Sequence, residues 1–314
     1  MASYLVTGGA GFIGSNLAHA LSERGEQVRI LDDFATGRRE NIAELVASKR
    51  AELIEGSITD PEVCARAVAG VDYVLHQAAI PSVPRSIEDP AGTNLVNVHG
   101  TVLLLSAAVK AKVKRVVFAA SSSAYGEKAP GQAKVEDMIP DPLSPYAVQK
   151  LACERYLRVF YTAYGLETVA LRYFNVFGPR QDPKSQYAAV IPNFVTAALT
   201  GRPATIYGDG TQSRDFCHID NAVEANLLAC TAKSAPGEVI NIACGEATNL
   251  LQVVDVIGRI VGRAIPPRHD PPRAGDIKHS LADIGKAQRL LGYTGRVSFA
   301  EGIERTVAWY RKSQ

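Results

Sequence analysis

Thr7-Gly8-Gly9-Ala10-Gly11-Phe12-Ile13-Gly14 follows a short apolar run, Tyr4-Leu5-Val6, and leads into a helical pattern that carries Leu17 and Leu21. Gly8 permits a tight turn after the strand. Gly11 lets the backbone approach a pyrophosphate, which then rests on the unpaired N–H groups of the helix N-terminus, and Gly14 allows the helix to pack closely on a sheet. Glycines at these intervals also occur in plain turns, so a second feature matters more. Asp32 closes the next apolar run, 18 residues beyond Gly14. A carboxylate there accepts hydrogen bonds from both ribose hydroxyls of a dinucleotide and repels a 2′-phosphate, which predicts NAD rather than NADP. Arg38 and Arg39, a little further on, read as a solvated loop face ahead of Glu40.

Outward from this unit, Val28–Leu31, Leu53–Glu55, Tyr73–Leu75, Val113–Ser121 and Thr168–Tyr173 read as further strands, separated mostly by segments long enough for crossover helices. Val98, Val102, Leu105 and Val109 mark one such helix by their i, i+4, i+7, i+11 spacing. Apolar strands joined by crossovers predict an α/β fold of Rossmann type, a doubly wound parallel sheet covered on both faces. From about Phe177 the chain becomes loop-rich, punctuated by Gly178-Pro179, Gly208-Asp209-Gly210 and Pro271-Pro272. We expect an NAD-binding Rossmann domain over 1–178 and a smaller α/β substrate-binding lobe over 179–314, with a segment around 236–245 returning to the main sheet.

The balance of 34 basic and 32 acidic residues, net +2 over 314 residues, leaves no electrostatic footprint for nucleic acid or an anionic membrane. Any anionic partner must be held locally. Apolar stretches such as Val102–Leu105 are interrupted by Lys110 and Lys112, so no membrane span is expected. Cys64, Cys153, Cys217, Cys230 and Cys244 are odd in number and irregularly spaced, which argues against a disulfide framework or a zinc site and for a cytoplasmic setting.

Tyr146-Ala147-Val148-Gln149-Lys150 sets a phenol and an ammonium four residues apart, on one face of a helix that starts at Leu143-Ser144-Pro145. That spacing is common by chance; its context is not. Val116-Val117-Phe118 leads into Ala119-Ala120-Ser121-Ser122-Ser123, so hydroxyls stand at the C-terminal end of a buried strand, where doubly wound sheets bind ligands. A free phenol is a poor base at neutral pH. A nearby cation, joined by the charge of an oxidised nicotinamide, favours the phenolate. Ser121, Tyr146 and Lys150 thus form an acid/base group suited to taking a hydroxyl proton while hydride leaves the same carbon.

Taken together, these features resemble the extended short-chain dehydrogenase/reductase family, specifically its NAD-dependent nucleotide-sugar epimerases and dehydratases. The likeness runs from Tyr4 to Tyr310. It includes Leu75-His76-Gln77-Ala78-Ala79, Asn97-Val98-His99-Gly100-Thr101, Leu171-Arg172-Tyr173-Phe174-Asn175-Val176-Phe177-Gly178-Pro179, Ser213-Arg214-Asp215-Phe216 and Arg273-Ala274-Gly275-Asp276. The resemblance implies a cofactor site of Gly8, Gly11, Phe12, Ile13, Gly14, Asp32, Ser57, Ile58, Gln77, Ala78, Ala79, Asn97, Tyr146, Lys150 and Tyr173. Gly56-Ser57-Ile58 departs from the family's Gly-Asp-Ile, which puts one adenine contact in doubt. The implied substrate site is Ser82, Ser121, Ser122, Asn175, Ala189, Val190, Tyr207, Arg214, Arg273, Asp276 and Ser280. In it, Asn175, Arg214 and Arg273 hold the diphosphate and Asp276 the uridine ribose, whereas Arg214 could instead pair with Asp215 or Asp220.

Dehydratases of the family carry Asp-Glu after the triad hydroxyl. Ser122-Ser123 stand here and cannot do that acid/base work, so epimerisation at C4 is expected. Ser280 occupies a position where the resemblance implies a gate: a tyrosine there excludes an N-acetyl group, and a serine leaves room for one. The expected reaction is interconversion of UDP-GlcNAc and UDP-GalNAc, with UDP-glucose and UDP-galactose beside it. UDP-glucuronate 4-epimerisation and a non-catalytic NAD-sensing binding protein remain as alternatives. The resemblance also implies a homodimer packed through helices around Asn97–Lys112 and Tyr146–Tyr164, with Leu104 and Leu151 facing either a partner or their own core.

Overall fold

Seven strands align side by side, all neighbours parallel: β1 (Ser3–Thr7), β2 (Gln27–Asp32), β3 (Ala51–Glu55), β4 (Tyr73–His76), β5 (Arg115–Ser121), β6 (Glu167–Tyr173) and β7 (Val239–Ile242). Their spatial order is β7-β6-β5-β4-β1-β2-β3 in a computed structural model that describes residues 1–127, 132–183, 190–271 and 278–312. The chain leaves β1 toward β2 on one side and returns to β4 on the other. The crevice beyond the C-terminal ends of β1 and β4 is therefore the switch point where such sheets take ligands.

Both faces of the sheet are buried, as the unbroken apolar strands require. Val6, Leu75, Val117 and Val169 turn toward helices α1 (Phe12–Glu23) and Ile219–Thr231. Leu5, Val74, Val116 and Phe118 turn toward α2 (Pro61–Val68), α3 (Thr101–Lys110) and α4 (Pro145–Tyr164). Ser144 caps α4, its Oγ accepting from the Ala147 N–H at 3.2 Å, with Pro145 at the first helical position, and Gly165 ends it in the left-handed region at φ 71°. Leu104 lies wholly in this core, and Leu151 is half-buried.

The continuous helical run 90–110 is 21 residues long and, by length and composition alone, apolar enough to cross a bilayer, contrary to the reading of its sequence as interrupted. Its Leu104, Leu105 and Ala108 are buried against α2 and the sheet, so it packs as a core helix. A π-type turn over Leu95–Gly100 widens the helix locally, and Asn97 and Thr101 are both buried there.

The remaining chain forms a second core of Phe177, Phe194, Phe216, Val253, Ile257, Ile303 and Val307. It includes a small three-stranded sheet in which Ser213–Asp215 lies between Ala247–Asn249, antiparallel, and His279–Ser280, parallel. β7 and helix Ile219–Thr231 pack with the main sheet despite their late place in the chain.

Glu154 of α4 grips Arg172 of β6 through two hydrogen bonds, 2.8 and 2.7 Å, with both side chains 3 % exposed. Removing one partner strands a buried charge. We expect Glu154→Ala to lower unfolding stability by about 3–5 kcal/mol in urea titrations; a change under about 1 kcal/mol would show the pair to be dispensable.

Candidate active site

Gly8 sits at φ +64°, and a Cβ there would lie 2.8 Å from the Ala78 backbone; one on Gly14 would fall 2.1 Å from the Gly8 carbonyl oxygen. The turn and the close packing of α1 on it thus exclude other residues. Gly11 begins α1 without a side-chain cap and with no acidic residue in the first turn, leaving the N–H groups around Phe12 and Ile13 for an outside anion. Asp32 is buried at the end of β2. Its Oδ2 accepts from the Ala10 N–H at 2.8 Å and its Oδ1 from the Phe34 N–H at 2.8 Å. Burial lifts its pKa, while these two donors oppose the rise. Arg38 already meets Glu40 and Asp182, and Arg39 pairs with Glu55 and lies over the Phe34 ring, so the carboxylate dominates the ribose end. An uncapped helix start, a glycine turn and a buried carboxylate fit a dinucleotide without a 2′-phosphate. Ser57 Oγ accepts from the Thr59 N–H and hydroxyl, at 3.3 and 3.0 Å, and Ile58 is buried behind it.

Around the switch point, Gln77, Tyr173 and Asn226 close a ring of hydrogen bonds. Gln77 Nε2 donates to Asn226 Oδ1 (3.3 Å), Asn226 Nδ2 to the Tyr173 oxygen (2.7 Å), and the Tyr173 hydroxyl to Gln77 Oε1 (3.4 Å). Asn226 escaped the sequence reading; its one signal is a polar residue inside the apolar helix run Ala225-Asn226-Leu227. Ala78 donates its N–H to Thr7 Oγ1 at 3.2 Å, and Ala79 follows, half-buried. His76 bridges Thr7 Oγ1 and Thr101 Oγ1 at 2.7 and 2.9 Å, and burial pushes its pKa down to about 3, so it stays neutral.

Asn97, expected at the cofactor, is held by bonds within the chain. Its Oδ1 accepts from the Ile80 N–H (2.7 Å), while its Nδ2 donates to the Ile80 carbonyl (3.3 Å) and to Gln149 Oε1 (2.8 Å). With its amide engaged and 2 % exposed, Asn97 ties the loop after β4 to α4.

Ser121, Tyr146 and Lys150 do come together. Lys150 is buried beneath the cleft; its Nζ donates to the Ala119 carbonyl at 2.8 Å and stands 4.7 Å over the Phe118 ring and 5.9 Å from the centre of the Tyr146 ring. The Ser121 hydroxyl faces the phenol and favours its ionised form. Ser123 donates to Ser121 Oγ through both its hydroxyl (2.9 Å) and its N–H (3.2 Å), which leaves the Ser121 proton for Tyr146. Ser122 is half-buried alongside. The electrostatics depart from the expectation of a cation-sharpened phenol. Burial pushes Tyr146 up to about 12 and Lys150 down to about 8, and only the Ser121 bond favours the phenolate. Desolvation outweighs an ammonium whose proton is committed to a carbonyl.

On the other side of the crevice, Asn175 holds a strained φ of 34° and donates from Nδ2 to the Asp215 carbonyl at 3.2 Å. Arg214 donates to the carbonyls of Ser213 (2.9 Å) and Lys278 (3.3 Å). Neither acid considered as its partner turns to it: Asp215 receives three amides, and Asp220 meets Arg305 and His218. Ser280 stands opposite Arg214 in the parallel ladder. Ser82 caps the helix Val83–Glu88, Val190 opens the helix Val190–Thr200, and Tyr207 ends the strand Ala204–Tyr207. Ala189, Arg273 and Asp276 lie outside the described residues.

A dinucleotide cradle facing a serine, a tyrosine and a lysine across one parallel sheet defines an NAD-dependent enzyme of the doubly wound class. The chain belongs to the NAD dependent epimerase/dehydratase family, whose profile matches residues 4–243. It is 38% identical over 312 residues to the UDP-glucose 4-epimerase of Mycolicibacterium smegmatis, covering 99% of each chain. The UDP-N-acetylglucosamine 4-epimerase from Methanobrevibacter ruminantium M1, solved with UDP-N-acetylmuramic acid, matches at TM-score 0.92 and 38% identity over 100% of this chain and 99% of that one. The UDP-glucuronic acid 4-epimerase from Bacillus cereus, solved with UDP-glucuronic acid and NAD, matches at 0.91 and 35% over 99% and 100%.

Proposed function

We propose that this nucleotide-sugar 4-epimerase interconverts UDP-GlcNAc and UDP-GalNAc, and UDP-glucose and UDP-galactose beside them. The observation that carries the substrate reading is that Ser280 pairs with Arg214 in a parallel ladder, so both side chains leave the same face; a side chain as small as hydroxymethyl would leave an acetamide space beside a diphosphate held by Arg214. When bound, NAD supplies the hydride acceptor and, in its oxidised form, a positive charge that favours ionisation of the Tyr146 phenol. Tyr146 then takes the proton of the sugar's 4-hydroxyl, and the Ser121 proton turns from the phenol to that sugar oxygen. Asn175 and Arg214 hold the diphosphate as the 4-keto sugar turns over, and Lys150, fixed on the Ala119 carbonyl, keeps the floor of the site in place. Tyr146 returns the proton to the inverted alcohol.

The purified protein, given UDP-GlcNAc, UDP-glucose and UDP-glucuronate in turn without added NAD, should form the 4-epimer of the first two. Turnover of the glucuronate alone would overturn the substrate, and no turnover of any sugar would favour a binding protein. Its five cysteines are free thiols, which suits the cytoplasmic setting.

Val148, Tyr156 and Val159 are exposed along one side of α4, with Leu95 exposed on the adjoining helical run. Such a patch on the helices that carry the site is what a second copy would cover, and we include a homodimer in the proposal. Val148→Glu with Val159→Glu should halve the mass seen by light scattering; an unchanged dimer, or a monomeric parent, would overturn it.

A further inference from the structure

Asp215 is fully buried, yet its carboxylate is aimed at backbone alone. Oδ1 accepts from the Cys244 N–H (2.8 Å), and Oδ2 accepts from the Gly245 (3.0 Å) and Ala282 (3.3 Å) N–H groups. Those donors belong to two separate segments, the turn after β7 and the stretch that continues the gate strand past Ser280. Its own carbonyl accepts from Asn175 Nδ2 at 3.2 Å. Arg214 precedes it on the same strand, pointing to the opposite face, and is paired with Ser280.

We propose that Asp215 is a positioning residue for the diphosphate end of the substrate site: it staples the strand of Arg214, the side chain of Asn175 and the strand of Ser280 into one rigid unit. The proposal rests on the reading that Arg214 and Asn175 bind the diphosphate. In Asp215→Asn one oxygen becomes an NH₂ donor, and either orientation sets that donor against at least one backbone N–H. The change leaves the Gln77–Tyr173–Asn226 ring and Lys150 untouched, so its effect belongs to affinity and not to the hydride step.

In calorimetry with UDP alone, Asp215→Asn should bind about tenfold more weakly than the parent, with KM raised alike, kcat within about threefold and NAD retained. Unchanged UDP affinity, or a fall in kcat at constant KM, would overturn the inference. A parent that fails to bind UDP would instead overturn the functional reading beneath it.

Should the variant not fold, the parent decides the matter. Burial and the charge of Glu246 hold Asp215 at about 6, above an ordinary carboxylate, despite its three donors. A raised native pKa means that protonation through this range favours the folded state, so acidification from about pH 7 to pH 5 does not threaten the fold through this group. The added proton takes the lone pair the three amides leave open and removes the charge they share, which loosens the staple, so affinity for UDP-glucose, whose diphosphate diester keeps both charges across this range, should fall. The other groups facing Asp215 are the thiols of Cys217 and Cys244, the Tyr293 phenol and the exposed Glu246. His279 lies on the neighbouring strand, bonded to Ser213 Oγ. A flat or rising affinity would overturn the proposal.

Discussion

Tyr146→Phe should hold NAD and UDP as tightly as the parent and yet lose epimerase turnover by about 10³-fold, the scale of a positioned acid/base. The ring remains, so the packing around it is kept. What disappears is the oxygen that accepts from Ser121 and meets the substrate hydroxyl. No neighbour can stand in: Lys150 spends a proton on the Ala119 carbonyl and lies 5.9 Å from the ring centre, and Ser121 is a far weaker base. The loss should fall on kcat with KM nearly unchanged, because the missing interaction is made with a proton in flight. Turnover within tenfold of the parent would remove Tyr146 from the chemistry. Equal ligand binding in an inactive parent would point to the binding-protein alternative instead.

Ser280→Tyr should cost about 10²-fold or more in kcat/KM on UDP-GlcNAc while changing UDP-glucose by less than about threefold. The asymmetry comes from rigidity. A phenol ring placed beside Arg214 takes the volume an acetamide needs, and the gate strand cannot retreat, because it is registered to Ser213–Asp215 and stapled at Ala282 by Asp215. A plain hexose has no group to collide. Equal losses on both sugars would mean that the substitution damages the site generally, and equal activities would mean that Ser280 faces elsewhere.

The local parts of this site were open to reading from the chain. A strand, a glycine turn and a helix are neighbours in sequence, and their chemistry depends on backbone within a dozen residues. The same holds for Asp32 at a strand end and for a phenol and an ammonium one helical turn apart. Asn97 is of the opposite kind. Its motif suggested a ligand contact but not its bonds to Ile80 and to Gln149, the latter 52 residues away.

The sequence by itself determined the doubly wound sheet and the cofactor class and brought forward the candidate acid/base residues, since strand periodicity, a glycine turn and the context of a phenol and an ammonium are each contained in short stretches. Only the tertiary structure decided which serine meets Tyr146, that burial holds that phenol protonated, and that Asp215 and Asn226 organise groups drawn from remote segments. Those outcomes depend on desolvation and on hydrogen bonds between residues dozens of positions apart, and neither quantity exists until the chain has folded.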